Sequence, residues 1–162
     1  MVASTNISIQ TVWQILATVT DPEVPVLTIM DLGIVRDIKI MEDAGIEVII
    51  TPTYTGCPAM DMISMNIKLA MVEHGYTHVK ITSILSPAWT TDWMSEEGKR
   101  KLKEYGIAPP KGNAGTIAED GIECPQCHSF HTKLLSEFGS TACKALYQCQ
   151  DCKEPFDYFK CH

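Results

Sequence analysis

Residues 46–85 read IEVIITPTYTGCPAMDMISMNIKLAMVEHGYTHVKITSIL and set the pattern of the first part of the chain. The β-rich run 46–51 predicts a strand. Gly56-Cys57-Pro58 then opens a helix over about 59–74, and a glycine follows its end in the C′ position. A further strand is predicted over 78–85. This stretch therefore predicts a strand, a helix and a second strand in succession.

Elements on either side complete a small domain. Residues 8–19 carry apolar side chains at helical spacing, and residues 34–40 predict a strand in which three isoleucines share one face. A turn at 42–45 joins that strand to the next one, and a strongly charged helix is predicted over 95–105. The order α-β-β-α-β-α fits a small sheet covered by helices, so we predict an α+β fold (a small α/β domain) here.

Composition predicts a boundary near residue 105. Residues 106–123 contain Pro109-Pro110 and four glycines, a composition typical of a linker. We therefore predict a first domain over 1–105, a linker over 106–123, and a separate metal-binding domain over 124–162.

Charge and hydropathy exclude several classes of protein. The 162 residues carry a formal net charge of −7, which argues against binding nucleic acid by general electrostatics. No apolar run reaches the roughly 18 residues that span a bilayer, and no secretory signal pattern is visible. We expect a cytoplasmic protein that binds neither nucleic acid nor membrane.

Six of the seven cysteines fall after residue 123. Two Cys-x-x-Cys pairs, Cys124/Cys127 and Cys149/Cys152, are separated by 21 residues. Each pair brings two thiolates to one side of a metal, so two pairs complete a tetrahedral Cys₄ zinc site. A unit of under 40 residues cannot bury enough surface to fold alone, which favours a structural metal. The pattern predicts a C-terminal zinc ribbon.

Two other interpretations of these cysteines remain open. The four thiols can form a disulfide framework, although a cytoplasmic chain keeps its thiols reduced. They can also bind iron, as a rubredoxin-like or iron–sulfur site. Cys143, Cys161 and His162 are less favoured as ligands, and His128 and His131 are expected to be surface groups beside the site.

Cys57 is the one cysteine of the first domain. Pro58 suits the first helical position, so Cys57 is expected at about the N-cap, where unpaired N–H groups and the helix dipole favour a thiolate. Thr53 and Thr55 offer hydroxyl donors nearby. The alternative is a small residue that merely fits the turn. No Cys–His pair at diagnostic spacing accompanies it, so covalent catalysis is not predicted.

A second cluster precedes the first strand. In Asp21-Pro22-Glu23-Val24-Pro25, two acids held between prolines can coordinate a cation or orient a neighbouring group. The alternative is a helix stop followed by an extended loop.

Two sets of large side chains are expected in the core. The methionine-rich helix, like the tryptophans after residue 86, is interpreted as core filling rather than as a binding surface. These residues are Met60, Met62, Met65, Met71, Trp89 and Trp93.

Taken in order, these motifs resemble a known family. The segments 21–25, Asp31-Leu32-Gly33-Ile34-Val35 and 53–58 resemble the small domain of iron–sulfur assembly factors of the SufT type. The tail over 124–161, with FGSTACKALY at 138–147 inside it, is similar to PaaD proteins, accessory subunits of the bacterial phenylacetyl-CoA epoxidase system.

The resemblance implies an accessory protein rather than an enzyme. It implies maturation or maintenance of an iron or iron–sulfur centre of the oxygenase or its reductase, with a transient iron–sulfur species at Cys57. The chain has no Glu-x-x-His pair for a di-iron site and no Gly-rich dinucleotide fingerprint. The alternatives are a structural subunit of the oxygenase complex and a thiolate-iron electron-transfer protein. A homo-oligomer is compatible with each of these roles.

Overall fold

The computed structural model describes residues 7–111 and 121–160 and divides the chain into two compact units, Met1–Trp89 and Thr90–His162. The first unit contains α1 (Ile9–Leu16), β1 (Val35–Ile40), β2 (Ile46–Ile50), α2 (Ala59–Glu73) and β3 (Val79–Ser83). The second contains a short 3₁₀ helix (Thr91–Trp93), α3 (Glu96–Tyr105), β4 (Ile107–Ala108), β5 (Thr132–Ser136), β6 (Lys144–Cys149) and β7 (Pro155–Phe159).

A three-stranded sheet forms the centre of the first unit, in the order β1-β2-β3. β1 and β2 are an antiparallel hairpin, whereas β2 and β3 are parallel. Parallel neighbours cannot be joined by a tight turn, so α2 provides the crossover between them. The strand, helix and strand predicted over residues 46–85 are confirmed by this arrangement.

The helix α2 buries one face at a spacing of four residues. Ala59, Ile63, Ile67 and Met71 are all buried along that face. They pack with the apolar face of α1 and the inward residues of the sheet to form the core of the unit. Gly75 follows the helix with φ +88°, the left-handed C′ conformation expected from the sequence.

The predicted end of the first helix was wrong. α1 ends at Leu16 rather than near Val19, because the N–H groups of Thr18 and Val19 donate to carbonyls three residues back and tighten the last turn. Ile34 and Ile38 are buried, whereas Ile40 is 45% exposed, since it is the last residue of its strand, next to the turn.

The methionines of α2 do not all fill the core. Met71 is buried, as expected, but Met62 and Met65 are exposed, so the core prediction was wrong for these two. Composition identifies an apolar helix but does not say which of its faces meets the sheet. Trp89 is buried, as expected.

The second unit is built on a four-stranded sheet in the order β4-β7-β6-β5. β5, β6 and β7 pair antiparallel, and β4 pairs parallel with β7. The helix α3 precedes this sheet, begins at Ser95, whose hydroxyl accepts from the Gly98 N–H, and ends at Gly106 with φ +91°.

The units differ from the sequence-based boundaries. α3 and β4 fall in the second unit, because β4 pairs with β7 and Lys103 of α3 forms an ion pair with Glu123 at 2.9 Å. From the sequence, α3 was predicted in the first domain and β4 in the linker. Most of that predicted linker, residues 112–120, lies outside the described residues.

Across the described ranges, 7–111 and 121–160, we find no helix with both the length and the apolar character needed to cross a membrane.

We predict that Ile67→Ala lowers the free energy of unfolding by about 2–5 kcal/mol, because Ile67 is completely buried and its truncation leaves a cavity. The same substitution at the exposed Ile40 is the matched control and should cost about 1 kcal/mol or less. Urea unfolding followed by tryptophan fluorescence measures both. Equal losses for the two variants would contradict the assigned core.

Candidate metal centre and thiol site

Two similar backbone turns present the paired cysteines. In each turn the residue after the second cysteine, His128 or Lys153, has a positive φ, of 63° and 67° respectively. The Cys124 N–H donates to the Ser129 carbonyl at 2.8 Å, and the Cys149 N–H donates to the Glu154 carbonyl at 3.0 Å. Each hydrogen bond closes its turn, so both sulfurs of a pair project to the same side.

The four sulfurs have the spacing of a tetrahedral metal site. The Sγ atoms of Cys124 and Cys152 are 3.7 Å apart, those of Cys127 and Cys149 are 3.5 Å apart, and all four lie within 4.8 Å of one another. Zinc–sulfur bonds of about 2.3 Å require sulfur–sulfur separations of roughly 3.8 Å. Disulfide bonds require about 2.05 Å. The donor set therefore fits zinc, and the same four thiolates also suit iron.

Backbone hydrogen bonds, burial and neighbouring thiols shift the pKa values of two of these cysteines in opposite directions. At Cys149, N–H donation from Cys152 and from Asp151 outweighs burial and lowers the pKa to about 6. At Cys152, the Glu154 N–H favours the thiolate, but burial and the three neighbouring thiols outweigh it and raise the pKa to about 12. Without a cation the four groups cannot all be thiolates near neutral pH, so a metal relieves this conflict.

Polar side chains hold the two turns together. Asp151 of the second turn contacts the Ser129 hydroxyl of the first, and its other oxygen lies 3.1 Å from His131 Nδ1. His128 Nδ1 lies 2.8 Å from Glu123. Both histidines thus face carboxylates beside the cluster, as expected for surface groups rather than ligands.

The less favoured ligands do not join this cluster in the structure. Cys143 is buried, its sulfur lies 3.0 Å from the Thr141 hydroxyl, and it does not belong to the four-sulfur group. Cys161 and His162 lie outside the described residues.

Cys57 lies in the turn between β2 and α2. Its N–H donates to the Tyr54 carbonyl and its carbonyl accepts from the Met60 N–H, both at 3.2 Å. The helix is assigned from Ala59 with Pro58 as its cap, one residue later than the sequence predicted for the cap. The thiol is half-buried, and the Thr53 hydroxyl lies 3.9 Å from its sulfur.

A cavity of about 60 Å³ lies beside this turn. It is formed by residues that follow β2 and residues that follow β3, because the carboxyl ends of parallel strands meet at one edge of a sheet. Thr51 is buried, and its hydroxyl has no hydrogen-bond partner within the described part of the chain. The lining residues are Thr51, Pro52, Thr53, Tyr54, Thr55, Leu85, Ala88 and Trp89.

The loop after α1 is ordered by its own carboxylates. Asp21 Oδ1 accepts from the N–H groups of Glu23 and Val24, at 2.8 and 2.7 Å, and Asp31 accepts from both the N–H and the hydroxyl of Thr28. Further along the loop, the Leu32 carbonyl accepts from the Trp89 indole N–H at 2.7 Å. The segment 31–35 thereby holds Trp89, which lines the cavity.

The structure does not gather the predicted groups of the first unit into a metal site. Among the described residues, the four-cysteine cluster is the one set of three or more His, Cys, Asp or Glu side chains close enough to hold a metal. Cys57, Asp21 and Glu23 do not form such a set. The unpartnered hydroxyl of Thr51 was not predicted, because a strand-like sequence offers no signal for it.

Two family models match the chain. Residues 108–160 match the PaaD zinc beta ribbon domain, and residues 9–82 match a model described as iron-sulfur cluster assembly protein. These matches and the fold confirm the predicted architecture, a mixed helix and sheet domain followed by a zinc-ribbon region with its cysteine cluster.

The chain is similar to named proteins over both parts. It is 50% identical over 151 residues, which are 93% of this chain and 91% of the relative, to a proposed 1,2-phenylacetyl-CoA epoxidase subunit from Escherichia coli. It is 36% identical over 90 residues, 55% of this chain and 85% of the relative, to an Fe-S protein maturation auxiliary factor from Porphyromonas gingivalis. A Bacillus subtilis factor of the same description is 36% identical over 87 residues, 52% of this chain and 82% of the relative.

Solved structures resemble a little over half of the chain. A domain of unknown function, DUF59, from Bacillus anthracis superimposes with a TM-score of 0.53 at 25% identity, over 57% of this chain and 89% of that one. A conserved hypothetical protein from Thermotoga maritima gives a TM-score of 0.50 at 30% identity, over 59% of this chain and 94% of that one.

We predict that Cys124→Ser or Cys149→Ser removes the metal and melts the sheet around it, because site formation supplies folding free energy that this small unit lacks. Bound zinc should fall from about one ion per chain to about a tenth of that or less. Cys143→Ala, which removes a buried thiol outside the cluster, is the matched control and should retain the metal.

Metal analysis, a visible spectrum and amide hydrogen exchange of β6 measure these outcomes. Retained metal with unchanged exchange in the serine variants would contradict the assigned ligands. A coloured protein would identify iron, since a Cys₄ zinc site is colourless.

Proposed function

The chain belongs to the PaaD family of phenylacetyl-CoA epoxidase subunits, and we propose that it is an accessory protein that assembles or maintains an iron or iron–sulfur centre of that epoxidase system. The recipient is the oxygenase or its reductase. In this proposal the metal species is cargo, and the chain performs no step of the epoxidation.

One observation carries the proposal: a single chain joins two modules that match two different protein families. The first module, residues 9–82, matches the iron–sulfur assembly model and is shared with the maturation auxiliary factors. The ribbon, residues 108–160, matches the PaaD model, and the similarity to the epoxidase subunit extends over both. A maturation module attached to an epoxidase-specific module supports maturation directed at that epoxidase.

The two thiol environments support a division of labour within the chain. The Cys₄ site offers four protein ligands, the arrangement of closed structural zinc sites, so we assign the ribbon a stabilising and docking role. Cys57 is a half-buried thiol, and among residues 7–111 and 121–160 no three-ligand set surrounds it. A single thiolate holds a metal species weakly, which suits transfer to a recipient that supplies the remaining ligands.

The remaining candidate residues of the first unit are assigned positioning roles. Thr53 contacts the sulfur, and Thr55 lines the same cavity from the exposed side of the turn. Asp21 organises the loop after α1 by accepting two backbone N–H groups, one of them from Glu23. We therefore propose that Asp21 and Glu23 order the loop after α1 rather than complete a metal site with Cys57.

We predict that Cys57→Ala leaves the fold intact but lowers the iron content of the co-expressed recipient, and with it epoxidase activity, by on the order of 10-fold. The fold should persist because the thiol is half-buried and the substitution removes no core packing. Iron analysis of the purified oxygenase and reductase measures the effect. Cys143→Ala is the matched control, since it removes a buried thiol outside both sites.

A maturation factor is required only while the recipient is being assembled, whereas a structural subunit is required in the working complex. Under the proposal, a recipient matured with the wild-type protein keeps its iron and activity after the accessory protein is removed. Co-purification in a fixed ratio, with activity lost on removal, would instead identify a structural subunit. Full iron loading by the Cys57→Ala variant would contradict the role of Cys57 while leaving the family assignment unaffected.

A further inference from the structure

The helix α2 carries a second apolar face that points to solvent. Its side chains Met62, Met65, Leu69 and Val72, the outer stripe, are 49%, 59%, 55% and 50% exposed. At 100° per residue they project from the side opposite the buried row of Ala59, Ile63, Ile67 and Met71. A surface helix normally turns charged and polar residues to water on that side.

Few charges interrupt this face. Asp61 and Lys68 border it on one flank, and Asn66 and Glu73 border it on the other. A helix that is apolar on opposite sides is typical of one covered by a neighbour. Methionine is also the side chain that adapts most readily to a facing surface.

The spacing of the outer stripe points to another helix as the neighbour. The intervals between its four members are three, four and three residues, the a/d spacing of a helix–helix seam. These intervals read the same in both directions, so an antiparallel copy of α2 sets Met62 against Val72 and Met65 against Leu69. A two-fold interface requires this kind of self-complementarity.

The charges on the flanks agree with self-pairing. In an antiparallel pair, each flank meets the same flank of the second copy, so Asp61 of one copy approaches Lys68 of the other. The offset along the axis is about 7–8 Å at 1.5 Å per residue, within reach of a lysine side chain. On the opposite flank, the two Asn66 side chains meet near the two-fold axis, where a polar pair specifies register. Opposed helix dipoles favour the same orientation.

We propose that the outer stripe of α2 docks antiparallel against α2 of a second copy of this chain. The stripe is short and the seam covers a small area, so the dimer is a weak one that forms with rising concentration. The antiparallel arrangement places the two Cys57 residues at opposite ends of the helix pair, about 30 Å apart along its axis. Each copy therefore keeps its own thiol site, and the two thiols do not share one metal.

Sedimentation of the full-length, metal-loaded protein from about 1 μM to about 1 mM tests the proposal. We expect a monomer–dimer equilibrium in the wild type. In Leu69→Glu, which introduces a charge into the seam, the dimer dissociation constant should rise about 10-fold or more. Ile40→Glu is the matched control, because Ile40 is an exposed apolar residue of the same unit outside the stripe, and it should dimerise as the wild type does.

Charge exchange tests the register. Asp61→Lys and Lys68→Asp should each weaken the dimer several-fold, and the double variant should restore it. A wild-type protein that stays monomeric throughout this range overturns the proposal, as does a dimer insensitive to Leu69→Glu. Loss of binding to purified epoxidase subunits in Leu69→Glu, with a monomeric wild type, would assign the stripe to a different protein and also overturn it. The maturation role of Cys57 does not depend on any of these results.

Discussion

The parallel pairing of β2 with β3 is the constraint on which the first unit depends. Two parallel neighbours need a crossover, and α2 meets that need by burying one face against the sheet. The crossover forces the chain to turn from strand to helix at the carboxyl end of β2. Cys57 occupies that turn, and the cavity forms where the segments after β2 and β3 meet. The thiol site is therefore a product of the sheet topology rather than of a separate local motif.

The second unit depends on a different interaction, the gathering of four sulfurs. Its sheet is small, and the strand β4 contributes only two residues. The buried cluster of the ribbon includes Cys124 and Cys149 themselves, so two of the four ligands are also core residues. Without a cation, burial and the neighbouring thiols raise the pKa of Cys152, which expresses the cost of crowding thiols together, whereas backbone N–H donation lowers the pKa of Cys149. A metal both removes that cost and closes the core, which is why folding and metal binding are linked in this unit.

Much of this organisation follows from local sequence signals. The order of strands and helices follows from apolar periodicity, and the four ligands follow from their spacing, because both depend on residues close together in the chain. Features set by distant partners were not predicted. The strand β4 is defined by pairing with β7, some fifty positions away, and the hydroxyl of Thr51 is unpartnered only in the folded unit. The exposure of Met62 and Met65 likewise depends on which face of α2 meets the sheet.

The contrast between the two thiol sites connects structure to function more closely than either site does alone. A group that must release its cargo cannot bind it with a complete ligand set, since each added ligand slows dissociation. A group that must hold a small domain together needs the complete set for the same reason. Under the proposed function this chain separates the two requirements, with a cluster of four cysteines in the ribbon and a single half-buried cysteine in the turn before α2. In that proposal the ribbon stays folded whether or not Cys57 carries cargo, so delivery would not endanger the module proposed to dock on the recipient.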